Sequence, residues 1–470
     1  MFGLETDFTL LLLFCLLCAC AFEFINGFHD TANAVATVIY TNSLKPMQAV
    51  VWSAIWNSIG VFTGGISVAM GIVNLLPPEI LVNSDIGQNV AMVLSLLFSA
   101  IIWNFLTWYK GIPASSSHTL IGAILGVGIA FSFFQGDMTM KGVNWSKAGD
   151  IGLSLLFSPL IGFGATVLVM WLLQAVVKNP LMFQAPKGDA PPPTWVRLTM
   201  IFACTGVSFS HGSNDGQKGV GLMMLILIGI VPMHFAINTE MDTFQLEPHV
   251  SKISEMVIRL DENKLSKQES EKLLKIKAEL FDLKQIFDKH RTEKAIPPNE
   301  YFNLRTDIIF VASNLNKLYK EGTLQRAGLN PIEIQYTISQ IKEMKKFTEY
   351  APIWVIGLIS LSLGLGTMIG WKRIVVTIGE KIGKQQLNYA QGASSQLVAA
   401  TTIGIASITG LPVSTTQVLS SGIAGSMVAT RGLKNLQGGT LKTIALAWLL
   451  TFPVTVILSA VLYSIFRLIF

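Results

Sequence analysis

The chain has 470 residues, 51% of them hydrophobic and 13% charged, with a mean hydropathy of +0.52 and a formal net charge of +5. Soluble domains carry about a quarter charged residues, so this composition excludes an ordinary soluble protein and indicates a polytopic membrane protein. The positive surplus is too small for a nucleic-acid binder and suits basic loops on one membrane face.

A transmembrane helix needs ~20 apolar residues, because a rise of ~1.5 Å per residue must cross ~30 Å of hydrocarbon. Runs of that kind lie near 8–40, 47–76, 88–109, 111–134, 149–177, 197–234, 351–371, 389–410, 411–430 and 440–468. The first follows Glu5 and Asp7, with no basic region or small-residue cleavage site, and reads as a retained span. Cys15, Cys18, Cys20 and Cys204 all fall in apolar stretches, and the Cys15-x-x-Cys18 pair has no second pair. Helix packing accounts for them.

Two runs, 8–40 and 197–234, are too long for one straight helix, and each carries glycine and polar residues near its middle. A broken helix is predicted at both places, with the freed backbone groups facing a cavity. Between the halves, 178–196 is polar and holds Pro180, Pro186, Pro191, Pro192 and Pro193, which reads as a linker. Residues 236–350 carry 18 basic and 18 acidic side chains and look soluble. There Ile253, Met256, Val257 and Leu260, then Leu273, Leu274, Ile276, Leu280, Leu283 and Ile286, recur at helical spacing. Pro297-Pro298 interrupts, and helical patterns resume over 299–321 and 331–349. The expected organisation is a first membrane half (1–177), the linker, a second half (197–235 with 351–470) and a helical insert (236–350).

The chemistry concentrates in two motifs. Glu23-Phe24-Ile25-Asn26-Gly27-Phe28-His29-Asp30-Thr31-Ala32-Asn33-Ala34 sits inside the first long run, and His211-Gly212-Ser213-Asn214-Asp215-Gly216-Gln217-Lys218 inside the second. A charge at bilayer depth costs at least ~2.5–3.5 kcal/mol, a cost met mainly where an ion or substrate is handled. Glu23 lies on the same helix face as Asp30 if no break intervenes, and Lys218 can neutralise Asp215 or meet an anion. His29, His118 and His211 share no metal-ligand spacing.

A second pair of segments matches: Gly111-Ile112-Pro113-Ala114-Ser115-Ser116-Ser117-His118-Thr119-Leu120 and Gly410-Leu411-Pro412-Val413-Ser414-Thr415-Thr416-Gln417-Val418-Leu419, with Gly126 and Gly425 extending the likeness. Proline suits a first helical turn, and Ser or Thr suits its cap. A helix starting in the membrane directs free N–H groups at an oxyanion, and hydroxyls beside them can surround a tetrahedral anion. Acidic motif, hydroxyl motif, linker, acidic motif, insert, hydroxyl motif is the order expected of a secondary transporter built from repeats, whose interrupted helices meet around the substrate. An ionised Asp is a poor anion ligand, so Asp30 and Asp215 are read as carriers of a coupling proton or of a metal ion travelling with the anion.

The motifs at Asn26–Ala34 and His211–Gly216, the Pro-Ser-rich segments and Ile378-Gly379-Glu380-Lys381-Ile382-Gly383 resemble the inorganic phosphate transporter (PiT) family, in particular its bacterial low-affinity branch. The family pattern is Gly-Ala-Asn-Asp-Val-Ala-Asn-Ala; this chain has His29 for the first Asn and Lys218 at the place of Asn33. The resemblance implies an all-α membrane fold of two inverted repeats, with broken or re-entrant helices in about 10–12 segments, plus the helical insert. It further implies a non-enzymatic symporter importing phosphate by alternating access. His29 and Lys218 argue against sodium, and similarity to the bacterial branch implies protons as the coupling ion, with phosphate carried partly as a neutral metal–phosphate complex. The phosphate-binding set expected is Ser115, Ser116, Ser117, Thr119, Ser414, Thr415, Thr416, Asn33, Asn214 and Lys218. The cation or proton set is Asp30, Asp215, Glu23 and His29, with Asp30 and Asp215 also as metal ligands. No resident cofactor is expected. Magnesium or a similar divalent ion is the co-transported metal, and membrane lipid and a second copy of the chain are the further partners this reading allows.

Three other readings compete. Sulfate or another tetrahedral oxyanion could use the same cage. An intramembrane metalloenzyme would take His29, Asp30, His118, His211 and Asp215 as ligands, but lacks any HExxH-like spacing. A transporter-like sensor would use the insert as its output domain. Lys372, Arg373, Lys381 and Lys384 against Glu380 place the 372–388 connection on the cytoplasmic side of the cell (inner) membrane. The insert, one span away, is then expected outside.

Overall fold

The computed structural model describes residues 2–77, 86–136, 142–186, 188 and 190–470, with no side chain at Thr31. Of the 178–196 linker, residues 187 and 189 lie outside this set. The chain forms two compact units. One is Glu5–Ile226 with Ala351–Phe470, and the other is Leu227–Tyr350 with the chain start up to Leu4.

The larger unit is all helical. In order its elements are α1 (Thr6–Tyr40), α2 (Pro46–Thr63), α3 (Ser67–Val73), α4 (Ile86–Tyr109), α5 (Ser116–Phe134), α6 (Trp145–Val176), α7 (Thr194–His211), a π-helical turn (Gly212–Gly216) and the start of α8 (Gln217–Ile230). After the insert helices α9 (Glu247–Ile258), α10 (Lys267–Lys289), α11 (Tyr301–Lys320) and α12 (Pro331–Lys345), the unit resumes. Its remaining elements are α13 (Ile353–Met368), α14 (Lys372–Glu380), α15 (Tyr389–Thr409), α16 (Thr415–Arg431) and α17 (Gly438–Phe466). Among the described residues α1, α4, α5, α6 and α17 are long and apolar enough to cross a membrane, and two bent pairs raise the number to 7. The sequence runs suggested more; polar side chains intersperse α7 and α15, and α16 is 17 residues long.

The two halves repeat one another. Helix α1 corresponds to α7–α8, the α2–α3 pair to α13–α14, α4 to α15, α5 to α16, and α6 to α17. Both corresponding pairs are sharply bent, by 73° between α2 and α3 and by 63° between α13 and α14. Both outer helices carry an internal proline, Pro159 in α6 and Pro453 in α17. Packing is exchanged between halves: α6 lies on α16 and α17 on α5, while α13 lies on α1 and α2 on α7.

Glycine sets these crossings. A Cβ at Gly27 would meet the Leu363 carbonyl of α13, and one at Gly366 the Phe24 carbonyl of α1. The other half mirrors this, with Gly212 against the Asn57 carbonyl of α2 and Gly60 against that of Phe209. Within the membrane small residues let backbones approach closely. These contacts correct the expected breaks. Helix α1 runs unbroken through Gly27, which serves close packing. In the second copy the helix continues through a π-helical turn at Gly212–Gly216, so it is widened there and not broken. The interruptions fall instead at the two bent pairs.

The outward faces of α6 and α17 are apolar, with Leu153, Leu156, Leu160, Leu168, Leu449 and Ile457 exposed. A patch of that extent would be a liability in water and suits lipid. The hydroxyl helices α5 and α16 are buried along nearly their whole length.

In the smaller unit α9–α12 close on a core that includes Ile253, Leu273, Ile276, Leu280, Leu283, Leu304, Ile308, Val311 and Ile341. Leu274 departs from the apolar stripe and is exposed, since it sits a helical step away from Leu273 and Ile276. Reciprocal caps start two helices, Ser266 with Glu269 and Asn330 with Glu333. Arg305 is buried and donates to the carbonyls of Ala236 (3.0 Å) and Thr348 (2.7 Å), tying the ends of the unit together.

Burial, reinforced by Glu279 beside it, pushes the Asp307 carboxyl of α11 up to about 8. An unfolded Asp releases its proton near ~4, so between those values the folded unit holds the extra proton and its stability falls as pH rises. Asp307→Asn should therefore slow amide exchange in α11 relative to wild type at pH ~8, with little difference near pH ~4. Hydrogen exchange on the full chain checks this, and an equal effect at both pH values would contradict it.

Candidate functional site

The hydroxyl motifs are helix starts. Ser115 caps α5 and accepts from the His118 N–H at 3.2 Å; Ser414 caps α16 and accepts from the Gln417 N–H at the same distance. Pro113 and Pro412 lie two residues ahead of the caps, outside the helices and not in their first turns. Gly111 (φ 65°) and Gly410 (φ 71°) close the preceding helices in the left-handed region, where a side chain would be strained. The tight reversal at each glycine brings the next helix start back into the interior.

There the four motifs meet. Asp30 accepts from the Ser116 hydroxyl (3.0 Å), from the Thr416 hydroxyl and from the Asn33 amide (3.3 Å). Asp215 accepts from Lys218 Nζ (2.6 Å) and from the Thr415 hydroxyl (3.3 Å). Lys218 also reaches the Ser117 hydroxyl (2.5 Å) and the Val413 carbonyl (3.1 Å), while Asn33 Nδ2 donates to Thr416 (3.0 Å). The pattern is two-fold. Each acid takes the second hydroxyl of its own half (Ser116, Thr415). The residue one turn further on, Asn33 or Lys218, takes the third hydroxyl of the other half.

The histidines differ in role. His211 Nε2 lies 3.5 Å from Asp215 Oδ2, its other ring nitrogen 3.1 Å from Asn57. One ligand atom each from Asp30, His211 and Asp215 lie within 4.8 Å of one another. His29 stands between Asp30 (3.3 Å) and the Thr107 hydroxyl (3.3 Å), and His118 rests on the Ser115 hydroxyl. Several buried acceptors nearby have no donor: Glu23 Oε1, Asn26 Oδ1 and Asn33 Oδ1. Neutral or anionic oxygens left bare suit a cation.

Of the residues singled out from sequence, Asp30, Asn33, Ser116, Ser117, Asp215, Lys218, Thr415 and Thr416 form one connected cluster. Ser115 and Ser414 cap its helices. Thr119 bonds back to the Ser115 carbonyl (2.9 Å) and stays out of the cluster. Asn214 secures the approach to α16 by bonding the Leu411 carbonyl (3.2 Å) and the Val413 N–H (3.3 Å). Glu23 is fully buried against Gly219 of α8, bonded to the Asn26 amide at 3.2 Å. The expected metal pair lacked His211, whose four-residue spacing from Asp215 was the available signal.

Paired apolar repeats that meet at two acids and two hydroxyl-led helices define a membrane transport protein. The chain belongs to the phosphate transporter family, whose match spans residues 26–459. It is 40% identical to the low-affinity inorganic phosphate transporter of Buchnera aphidicola subsp. Acyrthosiphon pisum, over 98% of this chain and 97% of that one. It is 39% identical to the low-affinity inorganic phosphate transporter PitA of Escherichia coli K12 over the same shares. A probable low-affinity inorganic phosphate transporter of Bacillus subtilis is 27% identical over 97% of this chain and 96% of its own. A solved structure described as the sodium-dependent phosphate transporter shares the fold, with a TM-score of 0.55 and 19% identity across 98% of this chain and 100% of that one. The family and these relatives are transporters, so the metalloenzyme reading falls away.

Removing one partner of a buried ion pair typically costs ~3–5 kcal/mol, because the other charge is left uncompensated. Lys218→Met should accordingly lower the melting temperature of the purified protein, and adding Asp215→Asn should recover much of the loss. Equal melting of the single and double variants would show that the pair is not held as described.

Proposed function

We propose that the chain imports inorganic phosphate across the cell inner membrane by proton symport, with the two repeats alternating access to one central site. The observation that carries this is the meeting of Asp30 and Asp215 with hydroxyls from both repeats at the starts of α5 and α16. Two ionised carboxylates would repel an anion strongly in a low dielectric. Protonating them removes the repulsion and releases the hydroxyl protons of Ser116, Thr415 and Thr416, which can turn to phosphate oxygens. The same step lets Lys218 serve the anion. Charging of the carboxylates on the far side would reverse these preferences and expel the cargo, so proton and phosphate binding favour each other as linked equilibria require.

Phosphate suits the site better than sulfate. At neutral pH phosphate still carries O–H donors for the carboxylates and asparagine oxygens, whereas sulfate has acceptors alone and would leave them unpaired. A divalent metal such as magnesium, travelling as metal–phosphate, would be held by Asp30 and Asp215 with His211 in reach. Glu23 and His29 flank the acids as further proton or cation groups. On this reading the basic 372–388 segment faces the cytoplasm and the insert lies outside, which labelling a cysteine near Asp261 would decide.

Asp30→Asn and Asp215→Asn should each abolish proton-driven phosphate uptake into proteoliposomes, and full uptake in both variants would refute the assignment. Arsenate should compete with labelled phosphate and sulfate should not. Strong sulfate inhibition would favour the broader oxyanion reading. Comparing uptake with and without magnesium tests the metal as cargo.

A further inference from the structure

We propose that the cleft between the C-terminal end of α4 and the α13–α14 bend binds the headgroup of an anionic phospholipid. The cleft has a volume of about 660 Å³ and gathers four cations, Lys110, Lys372, Arg373 and Lys381, around the rings of Trp108, Tyr109 and Trp371. Among the described residues none of the four has a carboxylate partner within ion-pair distance. Arg373 is nevertheless held in place. Its guanidinium sits 5.1 Å from the Trp108 ring centre and 4.9 Å from that of Tyr109, and one Nη donates to the Tyr109 carbonyl at 2.7 Å. A planar cation with five donors, fixed by ring stacking and one carbonyl, keeps its remaining N–H groups for an oxyanion.

Internal symmetry shows that this charge is an addition to the fold. The corresponding turn of the first half reads Gly65-Ile66-Ser67-Val68, and Thr409 stands before Gly410 where Lys110 stands before Gly111. The repeat geometry is satisfied without any of these cations, so helix packing does not explain them.

The surroundings select a lipid over a free anion. Ile102, Phe105 and Leu106 on α4 and Ile369 beside the bend are exposed and continue the cleft as an apolar strip fit for acyl chains. Indole and phenol rings mark the membrane–water boundary, and basic pockets between membrane helices at that boundary recognise anionic headgroups. The location also touches the transport machinery. The Thr377 hydroxyl of α14 donates to the Gly111 carbonyl at 2.8 Å, in the turn that leads to the Ser115 cap and to Ser116 on Asp30. A headgroup bridging Lys110 to Lys372 and Arg373 clamps that turn to α14.

Native mass spectrometry of the full chain, delipidated in detergent and supplied with phosphatidylglycerol or phosphatidylcholine of equal acyl length, tests the proposal. One phosphatidylglycerol should be retained in preference and should raise the melting temperature. Lys110→Gln with Lys372→Gln should weaken retention at least ~10-fold. The single variants, each at an exposed position, should give smaller losses and keep the test alive should the double variant not fold. Equal retention of the two lipids, or undiminished retention in the variants, would overturn the proposal. So would displacement of the lipid by millimolar inorganic phosphate, which would make the cleft a free-anion site.

Discussion

Two carboxylates buried in the interior of an apolar protein are the constraint around which the structure is arranged. Asp30 and Asp215 are each within a few per cent of full burial, and a charge there must be hydrogen-bonded or neutralised. The chain meets this demand with helix starts. Ser116, Thr415 and Thr416 stand at the first turns of α5 and α16, where the backbone is already turned inward and free N–H groups oppose negative charge. Donors that stabilise an empty carboxylate are the same donors an oxyanion needs, so holding the acids and holding the proposed cargo are competing uses of one set of hydroxyls.

That competition requires the two halves to sit at a fixed distance, which the glycine crossings provide. Gly27 and Gly366 bring α1 and α13 together, and Gly60 and Gly212 bring α2 to the second acidic helix. Gly126 backs on the Ser459 hydroxyl and Gly425 on the Phe163 carbonyl, closing each hydroxyl helix against the outer helix of the other half. Every crossing joins one repeat to the other, so neither half can bury its polar motif alone. Packed interfaces of this kind shift between discrete arrangements more readily than they deform smoothly, which suits the proposed alternating access.

Departures from two-fold symmetry carry the individuality of this chain. Lys218 occupies the place of Asn33, so Asp215 is paired with a lysine where Asp30 takes an asparagine amide. One acidic helix is regular and the other contains a π-helical turn that carries Asp215 inside it. Different side chains in a shared geometry make the two acids chemically unequal. The cationic cleft at the α13–α14 bend is a third departure, confined to one end of the repeat pair.

Much of this was legible in the sequence. Low charge and long apolar runs determined the membrane class, and the repeated Asp and Gly-x-Pro-hydroxyl motifs determined that there are two halves with one polar site. Binary hydrophobic periodicity likewise determined the helices of the 236–350 insert, because each buries one apolar stripe in the unit's own core and carries its charges on the other faces. The position of the helix interruptions was decided only by tertiary structure: glycine in α1 looks like a break locally, yet it permits a crossing with α13, a partner more than three hundred residues away. Tertiary packing also decided that Thr119 stays on its own helix, that His211 joins the acids, and that Asn33 and Lys218 reach hydroxyls of the opposite repeat. Composition and spacing record which groups are expensive to bury; which group satisfies which depends on distances between helices, and those arise only when the two halves close on each other.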